Sequence, residues 1–475
     1  MRVVRDSDRC NCPKIGVESK RLLRIPGSAP VRRVALGGIT AFAVYLASVG
    51  LTYCSQLLIA RIVGIDTYGI YAYVFAWMAV LGYFSALGFD VALLRFVPAY
   101  EAEQAWNLVS GVIQYSQRSA AVVGVFVVLA GISITLLRAQ SMSAELENTF
   151  LVGFVLVPIW ALLWIRCSVV RAFGGVVWAV APDRLVRDGM LIGLVALGAI
   201  WLRWHINAPQ LMLATLVSSA VGLGLVSLAM RRLRPPCAAD ATPAYAAAMW
   251  RGVAWPLVLI GATEALMNRT GVLLLGWLGD TNGAGVYSLV FNIAFVVALP
   301  RTAVNTLFAP TISSLFARND WTTLQVLVAR TAAWTLSAGG LIALVLAILA
   351  EPLLAWFGPG FEDGVPALRV LLLGQVIVSS AGSQLYVMTM TGRERSAVKL
   401  LVASAGANVV GCVVLINVLG LTGAAISTTA TLIGWNLAMA VFIWRRLHLL
   451  PGLFAMFRLP LGTDGVAARR EGALP

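Results

Sequence analysis

Twelve runs of about 20 mostly apolar residues constrain this chain more than any other feature of its sequence. An α-helix rises 1.5 Å per residue, so about 20 residues cross the roughly 30 Å of hydrocarbon in a bilayer. The runs lie at residues 36–60, 70–94, 112–137, 149–170, 185–202, 209–230, 253–278, 285–308, 331–350, 367–390, 400–418 and 421–444. The chain is 60% hydrophobic and only 12% charged, whereas about 25% of the residues of a soluble domain are charged. We therefore predict an all-α polytopic membrane protein with about 12 transmembrane helices.

The second half of the chain repeats landmarks of the first half in the same order. The paired landmarks are Tyr71 and Tyr287, Pro98 and Pro310, Arg118 and Arg330, and Arg232 and Arg446, at offsets of 212 to 216 residues. Duplicated hydrophobic halves are typical of transporters that bind their substrate between the halves. We predict two six-helix lobes, residues 36–232 and 252–446, related by a parallel repeat whose axis lies along the membrane normal. Residues 233–251 would link the lobes, and residues 1–35 and 447–475 would form basic tails.

The distribution of Lys and Arg predicts the orientation of the spans. Basic segments are retained in the cytoplasm. With a cytoplasmic N-terminus, thirty of the 35 basic residues fall in inner segments and four in outer ones, with Arg269 inside a span. Both termini and the linker are therefore predicted to be cytoplasmic. The net charge of +14 follows from this topology and does not indicate a nucleic-acid partner.

The loops argue against an enzyme or an ATP-driven pump. The longest predicted outer loop covers only about residues 351–366, too short to fold as a catalytic domain. The sequence contains no Gly-rich phosphate loop, nucleophile elbow or zinc-binding helix. Its six cysteines are dispersed without a C-x-x-C pair and it has only two histidines, so we predict no metal site. A carrier without covalent chemistry remains, and a membrane glycosyltransferase or polysaccharide polymerase is the less favoured interpretation.

Several motifs resemble those of a known transporter family. They are Ala60-Arg61-Ile62-Val63-Gly64, Tyr68-Gly69-Ile70-Tyr71, Leu87-Gly88-Phe89, Leu94-Arg95-Phe96-Val97-Pro98, Leu273-Leu274-Leu275-Gly276, Gly285-Val286-Tyr287 and Pro310-Thr311-Ile312-Ser313. Over about residues 36–446 the chain resembles Wzx-type polysaccharide transporters, the lipid-linked oligosaccharide flippases. This family belongs to the superfamily that includes the multidrug and toxin extruders (MATE).

The resemblance implies a MATE-like fold around a central cavity that opens alternately to each side of a bacterial inner membrane. The implied cargo is an oligosaccharide on polyprenyl pyrophosphate, used for O-antigen, capsule or exopolysaccharide assembly. Membrane lipids, a polysaccharide polymerase and a chain-length regulator are implied partners. No cofactor is expected, and coupling to H⁺ or to Na⁺ stays open. The alternative within the superfamily is a cation-coupled exporter of drugs or small solutes.

Charges inside the spans are the candidate site, because a charge that faces lipid costs at least ~2.5 kcal/mol. Glu264 and Arg269 lie well inside the seventh span. A helix turns about 100° per residue, so these two side chains point about 140° apart and should not pair with each other. Arg269 is either a cavity cation for the pyrophosphate or an interhelical packing contact. Glu264 is the corresponding candidate for coupling.

The remaining candidates lie towards the cytoplasmic ends of the spans. Arg118, Arg330, Arg166, Arg187 and Arg301 could bind the pyrophosphate, since guanidinium groups bind phosphate through paired hydrogen bonds. They could equally reach anionic lipid at the interface. Asp188, next to Arg187 and close to Asp183, is a second coupling candidate.

Overall fold

The computed structural model describes residues 29–201, 205–302, 320–391, 393–447, 449 and 450, with the single residues 304, 312, 315 and 452. Side chains are described from residue 47 onward, except at residues 200, 390 and 394. Within these residues the secondary structure is helical, without a β-strand. The predicted N-terminal tail (residues 1–35) and C-terminal tail (447–475) lie largely outside the described residues.

Fifteen α-helices follow one another along the described residues. They are α1 Ala29–Ala86, α2 Phe89–Ala102, α3 Trp106–Arg138, α4 Ala144–Ala172, α5 Val176–Val180, α6 Arg187–Ala196, α7 Ala208–Leu233, α8 Pro236–Asp240, α9 Ala247–Trp277, α10 Thr281–Phe295, α11 Trp321–Ile348, α12 Ala350–Ala355, α13 Val365–Ala381, α14 Gln384–Met390 and α15 Glu394–Leu447. Short 3₁₀ turns cover Ala139–Ser141, Val296–Ala298 and Phe361–Gly364, and π-helical turns cover Ala181–Val186 and Leu197–Trp201.

The two longest helices each contain two spans. Helix α1 has 58 residues and α15 has 54, so each is more than ~80 Å long and exceeds twice the thickness of a bilayer core. Each bends at a glycine whose positive φ is accessible without a Cβ: Gly64 (φ 79°) in α1 and Gly420 (φ 56°) in α15. Of the described residues, nine helical segments are long and apolar enough to cross a membrane, these two included. The predicted all-α polytopic fold is confirmed.

Three of the predicted spans are interrupted. The second span breaks between α1 and α2, where Leu87 and Gly88 both have positive φ. The tenth breaks at Gly382, between α13 and α14. The fifth is divided by the two π-helical turns, so the described residues contain no unbroken helix of span length there. Hydropathy predicted continuous spans at these three places. It could not predict the interruptions, because the apolar composition of a segment does not depend on its backbone conformation.

The chain divides into two compact units. The first ends at Gly285 and also includes Phe357–Pro359, and the second comprises Val286–Trp356 and the residues from Gly360 onward. The first unit therefore contains α9, which the repeat assigns to the second lobe. The lobes at 36–232 and 252–446 stay a prediction.

Each unit contains the same interhelical hydrogen bond at matching positions of the repeat. In the first unit the hydroxyls of Tyr71 and Thr215 are 3.1 Å apart, and in the second those of Tyr287 and Thr428 are 2.8 Å apart. All four side chains are buried. A phenol paired with a threonine hydroxyl satisfies both groups away from water. The equivalent bonds support the internal repeat, because they add Thr215 and Thr428 to the landmark pair of Tyr71 and Tyr287.

The predicted linker at residues 233–251 packs against α3 within the first unit. Arg234 Nη2 donates to Ser110 Oγ at 3.0 Å, and the Ala244 N–H donates to the Asn107 carbonyl at 3.0 Å. Trp250 is fully buried and donates from Nε1 to the Tyr100 hydroxyl at 3.0 Å. Burial lowers the pKa of Arg234 and the nearby Asp240 carboxylate opposes that shift. The linker is thus anchored by polar and apolar contacts.

Reporter fusions test the predicted topology. We expect a fusion after Arg232 to report a cytoplasmic location and a fusion after Asp280 an external one, because basic residues flank the first site whereas the loop at the second has no Lys or Arg. A periplasm-active phosphatase and a cytoplasm-active fluorescent reporter, fused at the same positions, give the readout. The reverse pattern at both positions would contradict the alternating assignment.

Candidate functional site

A charged cluster lies where the broken fifth segment packs on α1. Arg187 Nε donates to Asp188 Oδ1 at 2.9 Å, and Arg187 Nη1 lies 3.6 Å from Asp183 Oδ1. The second oxygen of Asp188 accepts a hydrogen bond from the Thr52 hydroxyl on α1. The same hydroxyl oxygen lies 3.0 Å from the Ser48 carbonyl oxygen, which competes with Asp188 for its single proton. The cluster therefore joins two helices through one buried carboxylate.

The π-helical turn at Ala181–Val186 positions this cluster. Pro182 stands at the start of the turn, where a missing N–H is tolerated. Helix α7 approaches closely here: a Cβ on Gly222 would lie 2.8 Å from the Pro182 carbonyl oxygen. Asp183 within the turn and Arg187 just after it are four residues apart and in ion-pair contact. Single π-turns within helices often occur at functional sites.

The charged cluster contains more acidic than basic groups. Asp188 is only 4% exposed, and two carboxylates share one guanidinium, so the group carries one net negative charge when all three are ionised. A buried excess charge is costly unless it is compensated. A bound proton or a monovalent cation would provide that compensation. Within the described residues no group of three or more His, Cys, Asp or Glu side chains could hold a metal ion.

Arg269 on α9 meets aromatic side chains of α1. Its guanidinium lies 5.9 Å from the centre of the Phe75 ring, within range of a cation–π interaction. The hydroxyl-bearing neighbours in its electrostatic surroundings are Tyr68, Tyr71 and Tyr83. In the part of the chain that the structure describes, Arg269 forms no ion pair with a carboxylate. Its charge therefore has no carboxylate counterion among these residues.

Arg269 lies beside a chain of aromatic rings. The successive ring centres of Tyr68, Tyr71, Phe75, Trp160, Trp164 and Tyr83 are 6.4, 5.6, 5.0, 5.9 and 4.5 Å apart. Such spacings are typical of stacked and edge-to-face aromatic pairs. Tyr68 is 3% exposed whereas Tyr83 is 36% exposed. The rings therefore extend from the buried interior to an accessible position.

Tyr71 connects the charged cluster to Arg269. It interacts electrostatically with Arg187, Asp188 and Arg269, and its hydroxyl is paired with Thr215. The structure thus brings three of the candidates predicted from sequence together within the first unit. We call Arg187, Asp188, Asp183, Thr52, Tyr71 and Arg269 the first-unit polar site.

The remaining candidates lie elsewhere. Arg118 and Arg330 are exposed and belong to different units, and Arg301 is half-buried in the second unit. Arg166 donates to the Ser227 hydroxyl between α4 and α7. Glu264 is exposed on α9. A pyrophosphate clamp formed by Arg118 and Arg330 stays a prediction, as do the roles of Arg301 and Glu264.

The sequence analysis missed Thr52 and the tyrosines of the first-unit polar site. Tyr68, Tyr71 and Phe75 follow one another at three- and four-residue spacing, which puts them on one face of a helix. That pattern was visible, but it is equally typical of a buried core. Thr52 is one of many hydroxyl residues in the spans, and nothing in its neighbourhood points to Asp188, 136 residues away.

A family comparison matches part of this site region. Residues 34–180 match the model of a family described as polysaccharide biosynthesis protein. The match includes α1 and ends just before the π-turn that carries Asp183. It confirms the resemblance to the polysaccharide transporter family. A comparison with curated protein sequences finds no match.

Solved structures with a similar fold are MATE transporters. One match is the inward-facing conformation of a multidrug resistance MATE family transporter of the MOP superfamily. The aligned region covers 85% of this chain and 94% of the transporter's chain, with a TM-score of 0.68 and 15% sequence identity. The MATE multidrug transporter DinF-BH covers 94% and 100%, with a TM-score of 0.62 and 14% identity. A mutant of the Vibrio cholerae MATE transporter VcmN covers 87% and 98%, with a TM-score of 0.58 and 16% identity. At these identities the likeness shows the fold, and the predicted MATE-like fold is confirmed.

Proposed function

We propose that this multi-pass membrane protein flips polyprenyl-pyrophosphate-linked oligosaccharide repeat units from the inner to the outer leaflet of a bacterial inner membrane. It would work by alternating access, without covalent chemistry, in O-antigen, capsule or exopolysaccharide assembly. The family match over residues 34–180 supports a role in polysaccharide biosynthesis, and the MATE-like fold supports a transporter rather than an enzyme. A polysaccharide polymerase and a chain-length regulator are the proposed partners.

The position of Arg269 is the observation on which the proposal depends. A lipid-linked oligosaccharide combines an anionic pyrophosphate with a hydrophilic glycan, and neither can cross hydrocarbon unaided. Arg269 offers a guanidinium without a carboxylate partner among the described residues. Its aromatic neighbour Phe75 shields the cation on one side and leaves its N–H groups to donate to phosphate oxygens.

The charged cluster would supply the coupling. Asp188 sits between Arg187 and Thr52, and Asp183 adds a second carboxylate. A proton or Na⁺ that enters this cluster would reduce its net negative charge, and Tyr71 lies in electrostatic contact with both this cluster and Arg269. Binding of the coupling ion would therefore change the field at Arg269. We propose H⁺ or Na⁺ exchange on this basis.

A cation-coupled drug or small-solute exporter is the second candidate. The fold is shared with MATE multidrug transporters, and the same carboxylates would suit coupling in either case. The two functions differ in cargo charge, since Arg269 favours an anion whereas a cationic drug would be repelled by it. Drug resistance in cells that overproduce the protein would favour this second candidate.

Deletion of the gene gives the direct test of the flippase function. We expect loss of the surface polysaccharide and accumulation of lipid-linked repeat units on the inner leaflet, because the glycan cannot cross hydrocarbon without a carrier. Gel analysis of surface polymer and mass spectrometry of extracted lipid-linked sugars give the readouts, with the wild-type gene on a plasmid as the control. Normal surface polymer in a deletion strain without a paralogue would contradict the proposal.

A further inference from the structure

Arg166 contacts a serine between α4 and α7 in the first unit, one helical turn from a second arginine, Arg231. These helices pack against each other, and Trp160 Nε1 donates to Ser219 Oγ at 3.0 Å within their contact. Further along the same contact, Arg166 Nη1 donates to the Ser227 hydroxyl. Ser227 and Arg231 are four residues apart on α7, so they share a face of that helix. Arg231 therefore lies on the face of α7 that Arg166 contacts through Ser227.

One N–H group of the Arg166 guanidinium lacks a hydrogen-bond acceptor. Its Nε is buried and has no hydrogen-bond partner within the described residues. The Ser227 hydroxyl accepts from Arg166 Nη1 and donates its own proton to the Leu223 carbonyl, but it forms no hydrogen bond with Nε. A buried N–H without an acceptor is unfavourable, and more so for a charged group. An acceptor from outside the protein would remove that cost.

The charged groups around Arg166 also favour binding of an anion. The titratable neighbour that acts on Arg166 is Arg231, a like charge, and no described carboxylate takes part. In the first-unit polar site, by contrast, Arg187 is flanked by two aspartates. Two neighbouring guanidinium groups repel each other unless a negatively charged group lies between them. The two arginines form a cation pair without a protein counterion among the described residues.

Both arginines lie near the ends of their helices. Arg231 lies two residues before the end of α7 at Leu233, and Arg166 lies six residues, or ~9 Å, before the end of α4 at Ala172. A long arginine side chain at that depth extends towards the interface. By the predicted topology this end of both helices faces the cytoplasm, where anionic headgroups attract basic residues.

We propose that Arg166, Arg231 and Ser227 form a binding site for an anionic phosphate group at the interface between α4 and α7. Arg166 Nε and Arg231 would donate to the phosphate oxygens in the forked geometry that guanidinium groups favour. The phosphate has two sources: the headgroup of an anionic membrane phospholipid, or the pyrophosphate of a polyprenyl lipid. The site is separate from the first-unit polar site and does not depend on the proposed transport function.

Binding to purified protein tests the site. The full chain in neutral detergent is titrated separately with short-chain phosphatidylglycerol, with short-chain phosphatidylcholine and with polyprenyl pyrophosphate, and bound lipid is counted by native mass spectrometry. The variants are Arg166→Gln and Arg231→Gln, and Arg232→Gln is the matched control, since Arg232 is exposed and points about 100° away from Arg231.

We expect each of the two site variants to bind the anionic lipid about tenfold more weakly, the ratio expected for one lost charge-assisted hydrogen bond. Arg232→Gln should bind like the wild type, and phosphatidylcholine should bind weakly to all four proteins. Variant-sensitive binding of phosphatidylglycerol identifies a membrane phospholipid as the ligand, and variant-sensitive binding of polyprenyl pyrophosphate alone identifies the second source.

The proposal is overturned if neither lipid distinguishes the site variants from the wild type, or if Arg232→Gln weakens binding as much as Arg231→Gln. Because Arg231 is exposed, its variant keeps the test valid even if Arg166→Gln fails to fold. The measurement needs no transport, so a negative result here leaves the flippase proposal untouched, and a failed export assay leaves this site untouched.

Discussion

Arg269→Ala is expected to abolish export while the protein still inserts and accumulates in the membrane. The guanidinium contacts the Phe75 ring and forms no ion pair with a described carboxylate, so its removal leaves no buried partner charge behind. An interhelical ion pair would behave differently, since breaking one costs about 3–5 kcal/mol in soluble proteins. Surface polymer in a complemented deletion strain measures export, and immunoblotting of membranes measures accumulation.

Two further variants sharpen this test. Arg269→Lys keeps the charge but loses the forked geometry, so we expect partial export. Arg138→Ala is the matched control, because Arg138 also lies over an aromatic ring, Trp277 at 5.1 Å, but is exposed at the end of α3. Full export by a well-expressed Arg269→Ala variant would remove this residue from the mechanism. Degradation of Arg269→Ala would instead assign it a packing role.

Arg187→Ala is expected to lower the amount of protein in the membrane severely. Its removal leaves Asp183 and Asp188 close together without their shared counterion, and Asp188 is only 4% exposed. Removing one partner of a buried pair costs about 3–5 kcal/mol, a large part of the ~5–15 kcal/mol that holds a typical protein folded. Membrane immunoblots and thermal unfolding of the detergent-solubilised protein measure the effect.

The double variant Arg187→Ala with Asp188→Asn separates stability from coupling. Neutralising Asp188 removes one of the uncompensated charges, so we expect the double variant to accumulate better than Arg187→Ala alone. Asp188→Asn alone should accumulate but lose the dependence of export on the ion gradient. Arg171→Ala, at the exposed end of α4, is the control. If Arg187→Ala accumulates like Arg171→Ala, the charged cluster contributes little to stability.

The sequence singled out individual candidate residues but not their arrangement. Arg269, Arg187 and Asp188 stood out because charges are rare inside spans, and the structure brings all three around Tyr71. The candidates at the span ends could not be ranked in the same way, because Arg118 and Arg166 lie in similar sequence surroundings. One is exposed, whereas the other reaches a serine of a neighbouring helix.

The sequence by itself determined the all-α membrane fold class and the approximate positions of the apolar segments. Membrane insertion depends on the apolar character of about 20 consecutive residues, which is a local property of the chain. The tertiary structure alone decided which polar groups meet. Thr52 and Asp188 are 136 residues apart and Tyr71 and Thr215 are 144 apart. Such contacts depend on the rotation of each helix about its axis and on breaks such as the π-turn at Ala181–Val186. Both are set by packing against other helices, which the hydropathy of one segment does not encode.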